Sequence, residues 1–173
     1  FETKKRVYSF GGKTSEGDGQ MRELLGGKGA NLAEMSKLGI PVPAGFTITT
    51  ECCTEYYALG GGFTPDLEQE VAAAMKDIEN IMGKKFGDSV DPLLVSCRSG
   101  ARSSMPGMMD TILNVGLTPG AVETMGKKFN DMRFAWDLYR RLIQMYSKVV
   151  LEVPGEEFEE IIEEERARVG AAS

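Results

Sequence analysis

The stretch Val95-Ser96-Cys97-Arg98-Ser99-Gly100-Ala101-Arg102-Ser103-Ser104-Met105-Pro106-Gly107-Met108-Met109-Asp110-Thr111 decides how the chain reads. Leu93-Leu94-Val95 leads into it as an apolar run, so residues 93–98 are predicted as a buried strand and 99–111 as the loop that follows. The loop holds glycine, serine and proline, and Arg98 and Arg102 flank its start. A strand running into such a loop exposes backbone N–H groups. Guanidinium groups beside them suit an anion with oxygens to spare, such as a phosphate chain. The competing reading is a surface loop whose arginines pair with nearby acids.

Upstream, Leu24-Leu25-Gly26-Gly27-Lys28-Gly29-Ala30-Asn31-Leu32-Ala33-Glu34-Met35 is the second informative stretch. Its glycines are expected to precede or open a helix that carries Leu32, Met35 and Leu38 on one face. Gly39 ends that helix and Pro41 prevents its continuation. A Gly-Gly-Lys-Gly turn at a helix N-terminus offers N–H groups and an ammonium to a phosphate. It lacks the Lys-Ser/Thr pair of a Walker A sequence. A turn with a solvated lysine is the plain alternative.

Composition limits the chemistry. The 173 residues are 42% hydrophobic and 27% charged, which suits one domain or slightly more with a real core. Net charge is -6, and no stretch interleaves Lys/Arg with aromatics, so nucleic acid is not an expected partner. No run approaches the length of a membrane span, and no targeting segment is recognised at the start. Cys52, Cys53 and Cys97 form neither a disulfide framework nor a zinc signature, which favours an intracellular setting, cytoplasmic or organellar. There is no histidine, so imidazole serves nowhere in this sequence as base, ligand or phosphoryl carrier.

The remaining segments supply scaffold. Lys4–Phe10 alternates weakly toward a strand, Thr14–Gln20 reads as a hairpin loop, and Gly45–Thr49 as a short strand with Phe46 and Ile48 on one face. Thr49 or Thr50 caps a helix holding Cys52 and Cys53, both expected in or near the core. Thr64-Pro65 and Thr118-Pro119 are cap-then-proline starts. The first opens a helix with Leu67, Val71, Ala74, Met75, Ile78 and Met82 inward, the second one with Val122, Met125 and Phe129 inward. From Phe134 onward apolar residues cover much of a long helix, which is expected to lie buried between neighbours and to run to Pro154-Gly155. Residues 152–173 form an acidic helical tail, read as a solvated amphipathic helix rather than a metal site. The class is α+β, and the tail offers no closing element, which suggests part of a longer protein.

If Gly26–Gly29 and Arg98–Asp110 faced one cleft, they would match a nucleoside triphosphate in kind. Lys28 would contact terminal phosphate oxygens, Arg98 would bind them bidentately, and Gly100, Ala101 and Gly107 would give backbone donors or close approach. Arg102 reaches the phosphates or pairs with an acid. Asp110 orders the loop or stands on the magnesium side, with the first preferred. Ser99, Ser103, Ser104 and Thr111 read as bracing hydroxyls, and nothing marks any as an activated nucleophile. The candidate nucleotide-binding set is Lys28, Arg98, Gly100, Ala101, Arg102, Gly107, Asp110 and Thr111, with no catalytic residue and no metal ligand among them.

Three of these blocks carry a resemblance: Leu24–Met35, Pro43–Glu51 and Arg98–Thr111, together with Arg133-Phe134-Ala135-Trp136-Asp137-Leu138-Tyr139-Arg140-Arg141. In that order they closely resemble the pyruvate, phosphate dikinases. The pyruvate, water dikinases (phosphoenolpyruvate synthases) share the first and third elements but fit Met105–Thr111 less well, and a non-catalytic nucleotide-binding module is a further alternative. The resemblance implies that residues 1–173 are the N-terminal portion of an ATP-grasp-like nucleotide-binding domain. It implies ATP with magnesium, a histidine phosphorylated on a swivelling domain, and transfer to pyruvate at a C-terminal barrel. The overall reaction would be ATP, pyruvate and phosphate to AMP, phosphoenolpyruvate and diphosphate, in a homodimeric enzyme. Lys28 and Arg98 match the family's phosphate contacts, and Gly107 and Asp110 its closing loop. Cys97 replaces an aliphatic residue, read as a tolerated core change, and Trp136 a tyrosine, a ring that needs room. The carrier histidine, the barrel and the half-domain bearing the magnesium-binding acids and adenine pocket would lie beyond residue 173, so this chain is not expected to complete the cycle alone.

Overall fold

Weak alternation in the first residues becomes strand β1 (Val7–Gly11), which turns at Gly11 and Gly12. Strand β2 (Thr14–Ser15) returns antiparallel, with Phe10 opposite Ser15. Strand β3 (Gly45–Ile48) pairs antiparallel on the other side, Val7 opposite Ile48 and Phe10 opposite Gly45. The order is therefore β2-β1-β3. The structure is a computed structural model that describes residues 4–100 and 111–171. They fall into two units, one holding the described residues up to Lys84, the other Lys85–Arg98 and the described residues from Thr111 onward. Ser99 and Gly100 belong with the first.

Helices cover both faces of the first unit's sheet because consecutive β1 side chains point to opposite sides. Val7 packs with Cys52, Leu67 and Ala74, on helices α2 (Thr50–Ala58) and α3 (Pro65–Met82). Tyr8 packs with Leu25, Ala30 and Ala33 on helix α1 (Arg22–Lys37). Side chains tie these layers together. The Ser36 hydroxyl accepts the Gly11 N–H at 3.0 Å, and the Ser15 hydroxyl donates to the Ala33 carbonyl at 2.7 Å. One Glu70 oxygen accepts the N–H groups of both Arg6 and Val7 at 2.9 Å, fixing α3 to the start of β1. The predicted Thr64 cap is present: its hydroxyl accepts the Leu67 N–H at 3.2 Å. Gly83 ends α3 in the left-handed conformation.

In the second unit, strands β4 (Val95–Arg98) and β5 (Thr111–Val115) pair antiparallel, Val95 opposite Val115 and Arg98 opposite Thr111, with a register shift between Val95 and Cys97. Helix α4 (Pro119–Phe129) is capped by Thr118, whose hydroxyl accepts the Ala121 N–H at 3.3 Å. Asn130 then adopts a left-handed conformation, and Asp131 caps helix α5 (Met132–Val149) by accepting the Phe134 N–H at 2.9 Å. Leu117, Ala121, Val122 and Ala135 form the core. Helix α6 (Gly155–Val169) buries no residue fully.

The class is mixed α and β, as read from the sequence, but several placements differ. The predicted strand 93–98 shortens to Val95–Arg98, and Leu93, though buried, makes only a single bridge to Phe86. Ser96, Cys97 and Arg98 are all exposed, and since consecutive strand side chains alternate, the ribbon is uncovered on both faces there among the described residues. Cys97 is thus not a core position, nor is Cys53, whereas Cys52 is. Thr111 opens a strand instead of closing a loop. Met35, Leu38, Ile48, Met82 and Phe129 are exposed; in the resumed part of α1 and in α4 the smaller residues Ala30, Ala33, Ala121 and Val122 are buried instead. Helix α5 ends at Val149, not at Pro154-Gly155, and buries only Ala135 and Ser147 fully. Phe134, Trp136, Ile143 and Tyr146 are exposed, so Trp136 meets no packing limit among the described residues.

Candidate nucleotide-phosphate site

Helix α1 is two helical segments in series. Gly26, at φ 71° and ψ 168°, breaks it, and the helix resumes at Gly27. The glycines therefore do open a helix, as expected, but they follow a first segment beginning at Arg22. The first turn of the resumed segment is Gly27-Lys28-Gly29-Ala30, at the positive end of the segment's dipole.

The glycines have separate reasons to be there. Gly26 occupies a backbone region that is essentially closed to other residues. Gly29 is buried, and a β-carbon on it would lie 2.8 Å from Thr47 Cγ2 and 3.0 Å from Thr47 Oγ1. A β-carbon on Gly27 would meet nothing within 4 Å, so packing makes no demand there. Between them Lys28 is exposed, and among the described residues no acid pairs with it.

Arg98 is the last residue of β4, exposed, and likewise without an acid partner among the described residues. Beside it Gly100 has open space where a side chain would be. Thr111 stands across the ribbon from Arg98. Ala101, Arg102, Gly107 and Asp110 lie outside the described residues, as do the bracing serines 103 and 104. Lys28 and Arg98 belong to different units.

Several other cations are committed to acids. Arg6 Nε donates to Glu55 Oε2 at 3.0 Å, and Lys4 pairs with Glu51. The Arg6 hydrogen bond holds the Glu55 carboxyl below its ordinary range. On α5, Asp137 accepts from both Arg140 and Arg141, and the Arg140 bond lowers its carboxyl too. Such pairs are structural; Lys28 and Arg98 carry charge that no acid among the described residues neutralises. Among the described residues no group of three or more His, Cys, Asp or Glu side chains is placed to hold a metal ion. Among them, too, no helix is long and apolar enough to cross a membrane.

Two site-shaping residues escaped the sequence reading. Thr47 abuts Gly29, and the Thr50 hydroxyl donates to the Glu23 carbonyl at 2.7 Å, on the other side of the Gly26 break. The available signal was the run of threonines in Thr47-Ile48-Thr49-Thr50, which strand and cap rules alone had absorbed.

Residues 22–62, which contain Lys28, Thr47 and Thr50, match the family described as "Pyruvate phosphate dikinase, AMP/ATP-binding domain". Over 159 residues the chain is 59% identical to pyruvate, phosphate dikinase of Clostridium symbiosum, covering 92% of this chain and 18% of that protein. It is 52% identical over 166 residues to pyruvate, phosphate dikinase of Rhizobium meliloti (strain 1021), covering 96% and 18%. It is 48% identical over 168 residues to the chloroplastic pyruvate, phosphate dikinase 1 of Oryza sativa subsp. japonica, covering 97% and 18%. The chain spans about a fifth of the length of these curated relatives. With that identity sustained along nearly all of its residues, the chain matches the pyruvate, phosphate dikinase family over a segment corresponding to its N-terminal AMP/ATP-binding domain.

Proposed function

We propose that this chain is the ATP-phosphate-binding part of a pyruvate, phosphate dikinase. The carrying observation is Lys28: an exposed ammonium, unpaired among the described residues, in the first turn after a glycine break. A helix start and a free cation attract the same ligand, an anion whose oxygens accept from both. Gly27 leaves its backbone open to approach. Arg98 is proposed as a second, bidentate phosphate contact, with Gly100, Ala101, Arg102, Gly107, Asp110 and Thr111, which follow it in sequence, as further phosphate-binding residues.

In the parent protein ATP would supply the phosphoryl group, with magnesium spreading the phosphate charge. This chain's residues would bind and orient the phosphates. Its lack of histidine fits a carrier histidine on another domain. The other half of the nucleotide domain, a pyruvate-binding barrel and a second subunit are the proposed partners. The whole reaction would convert ATP, pyruvate and phosphate to AMP, phosphoenolpyruvate and diphosphate.

Calorimetry of ATP–Mg with the folded chain tests the reading. Binding that Lys28→Ala and Arg98→Ala each weaken about tenfold or more supports it. A folded wild type without affinity, or variants that bind like it, would contradict it.

A further inference from the structure

We propose that Thr47 and Thr50 are positioning residues for Lys28, an inference that rests on the phosphate reading above. Lys28 follows a break, so the path of the main chain at Gly26 decides where its ammonium goes. A broken helix needs restraint on both sides if its resumed segment is to hold one orientation. The two threonines supply one restraint each.

Thr50 acts before the break. Its hydroxyl donates to the Glu23 carbonyl at 2.7 Å. In an unbroken helix that carbonyl would accept from Gly27, which lies beyond Gly26. Thr47 acts after the break. It sits in β3 opposite Tyr8 of β1, so its backbone is held by the sheet. Its β-branched side chain is stiff and fills the space beside Gly29, one residue past Lys28. Both threonines lie on one short run, Thr47-Ile48-Thr49-Thr50, whose Thr49 is buried with its hydroxyl beside Cys52 Sγ at 3.2 Å. A single rigid segment thereby fixes both arms of the break, and preorganisation of this kind lowers the ordering cost of ligand binding.

The test is ATP–Mg affinity of the chain by calorimetry, with folding checked by thermal unfolding. Thr50→Val keeps the shape and deletes the hydroxyl, and it should weaken binding about two- to tenfold, the range of one net hydrogen bond. Thr50→Ser restores the donor and should bind within about twofold of wild type. Thr47→Ala should weaken binding over the same range as Thr50→Val, whereas Thr47→Val keeps the contact with Gly29 and should not. Thr64→Ala is the control: it removes a cap on α3 and lowers stability, yet should leave affinity unchanged. Wild-type affinity in Thr50→Val and Thr47→Ala, or an equal loss in Thr64→Ala, would overturn the positioning role while leaving Lys28 as a phosphate contact. If Lys28→Ala binds as wild type does, or the wild type does not bind, the phosphate reading falls and this inference with it.

Discussion

Gly29 lies so close to Thr47 that a β-carbon on the glycine would sit 2.8 Å from the threonine methyl, nearer than packed side chains approach. The contact joins α1 to β3 one residue after Lys28. It explains a small residue at position 29 without reference to any ligand. Gly29→Ala should therefore lower the chain's unfolding free energy by about 1–3 kcal/mol, the usual cost of overpacking. Adding Thr47→Ala should recover most of that loss, although Thr47→Ala alone destabilises. Urea unfolding of the two single variants and the double variant measures it; additive losses would mean that the two sites do not compete for the same space.

Neighbouring glycines should respond oppositely. Gly26→Ala forces a side chain into a region essentially reserved for glycine and should cost about 1–3 kcal/mol. Gly27→Ala, with open space at that position, should stabilise the resumed helix by about 0.5–1 kcal/mol. The same urea experiment checks both. If Gly27→Ala also weakens ATP binding, the position is kept small for close ligand approach.

The cap-then-proline starts predict a third result. Thr118→Ala removes the acceptor for the Ala121 N–H and should cost about 0.5–2 kcal/mol. Thr118→Asp keeps an acceptor and places negative charge at the helix's positive end, so it should retain most of the stability. Thermal unfolding of the two variants separates the hydrogen bond from any other role of the threonine.

Acid should weaken the fold through carboxylates held ionised by hydrogen bonds. Asp88 Oδ2 accepts the N–H groups of Asp91 at 2.8 Å and Val90 at 3.0 Å, and these bonds, the Asp91 one foremost, hold its carboxyl below the ordinary aspartate value. A folded-state value below the unfolded one means that the unfolded chain takes up the proton first. The contribution is then complete above about pH 4 and is lost as pH falls through the folded value. Asp88→Asn should flatten this part of the acid dependence of the melting temperature between neutral pH and pH 3, and an unchanged profile would remove Asp88 from the account.

Local punctuation was the most legible part of the chain. Thr64-Pro65, Thr118-Pro119 and Gly39 mark helix ends where the structure has them, because caps and left-handed residues act within a few positions. Burial was less legible. Met35 and Phe129 have the spacing of core residues but are exposed, since the buried faces of α1 and α4 belong to Ala30, Ala33, Ala121 and Val122. Periodicity finds a face; only the neighbouring element decides which face is used. Strand β5 was missed because Ile112-Leu113 is short and its partner β4 ends well upstream in sequence. Of the candidate site, the availability of Lys28 was suggested by its glycines, whereas the roles of Thr47 and Thr50 depend on contacts 18 to 27 positions apart in sequence, which no local pattern carries.

The most direct measurement is an amide NMR titration of the chain with ATP–Mg, following Gly27, Lys28 and Gly29 against Trp136 on α5. Phosphate binding at Lys28 should give saturable shifts at Gly27 and Lys28, absent in Lys28→Ala, with Trp136 unmoved. Saturable binding that leaves the Gly27-Lys28-Gly29 amides in place would put the phosphates elsewhere and contradict the central claim.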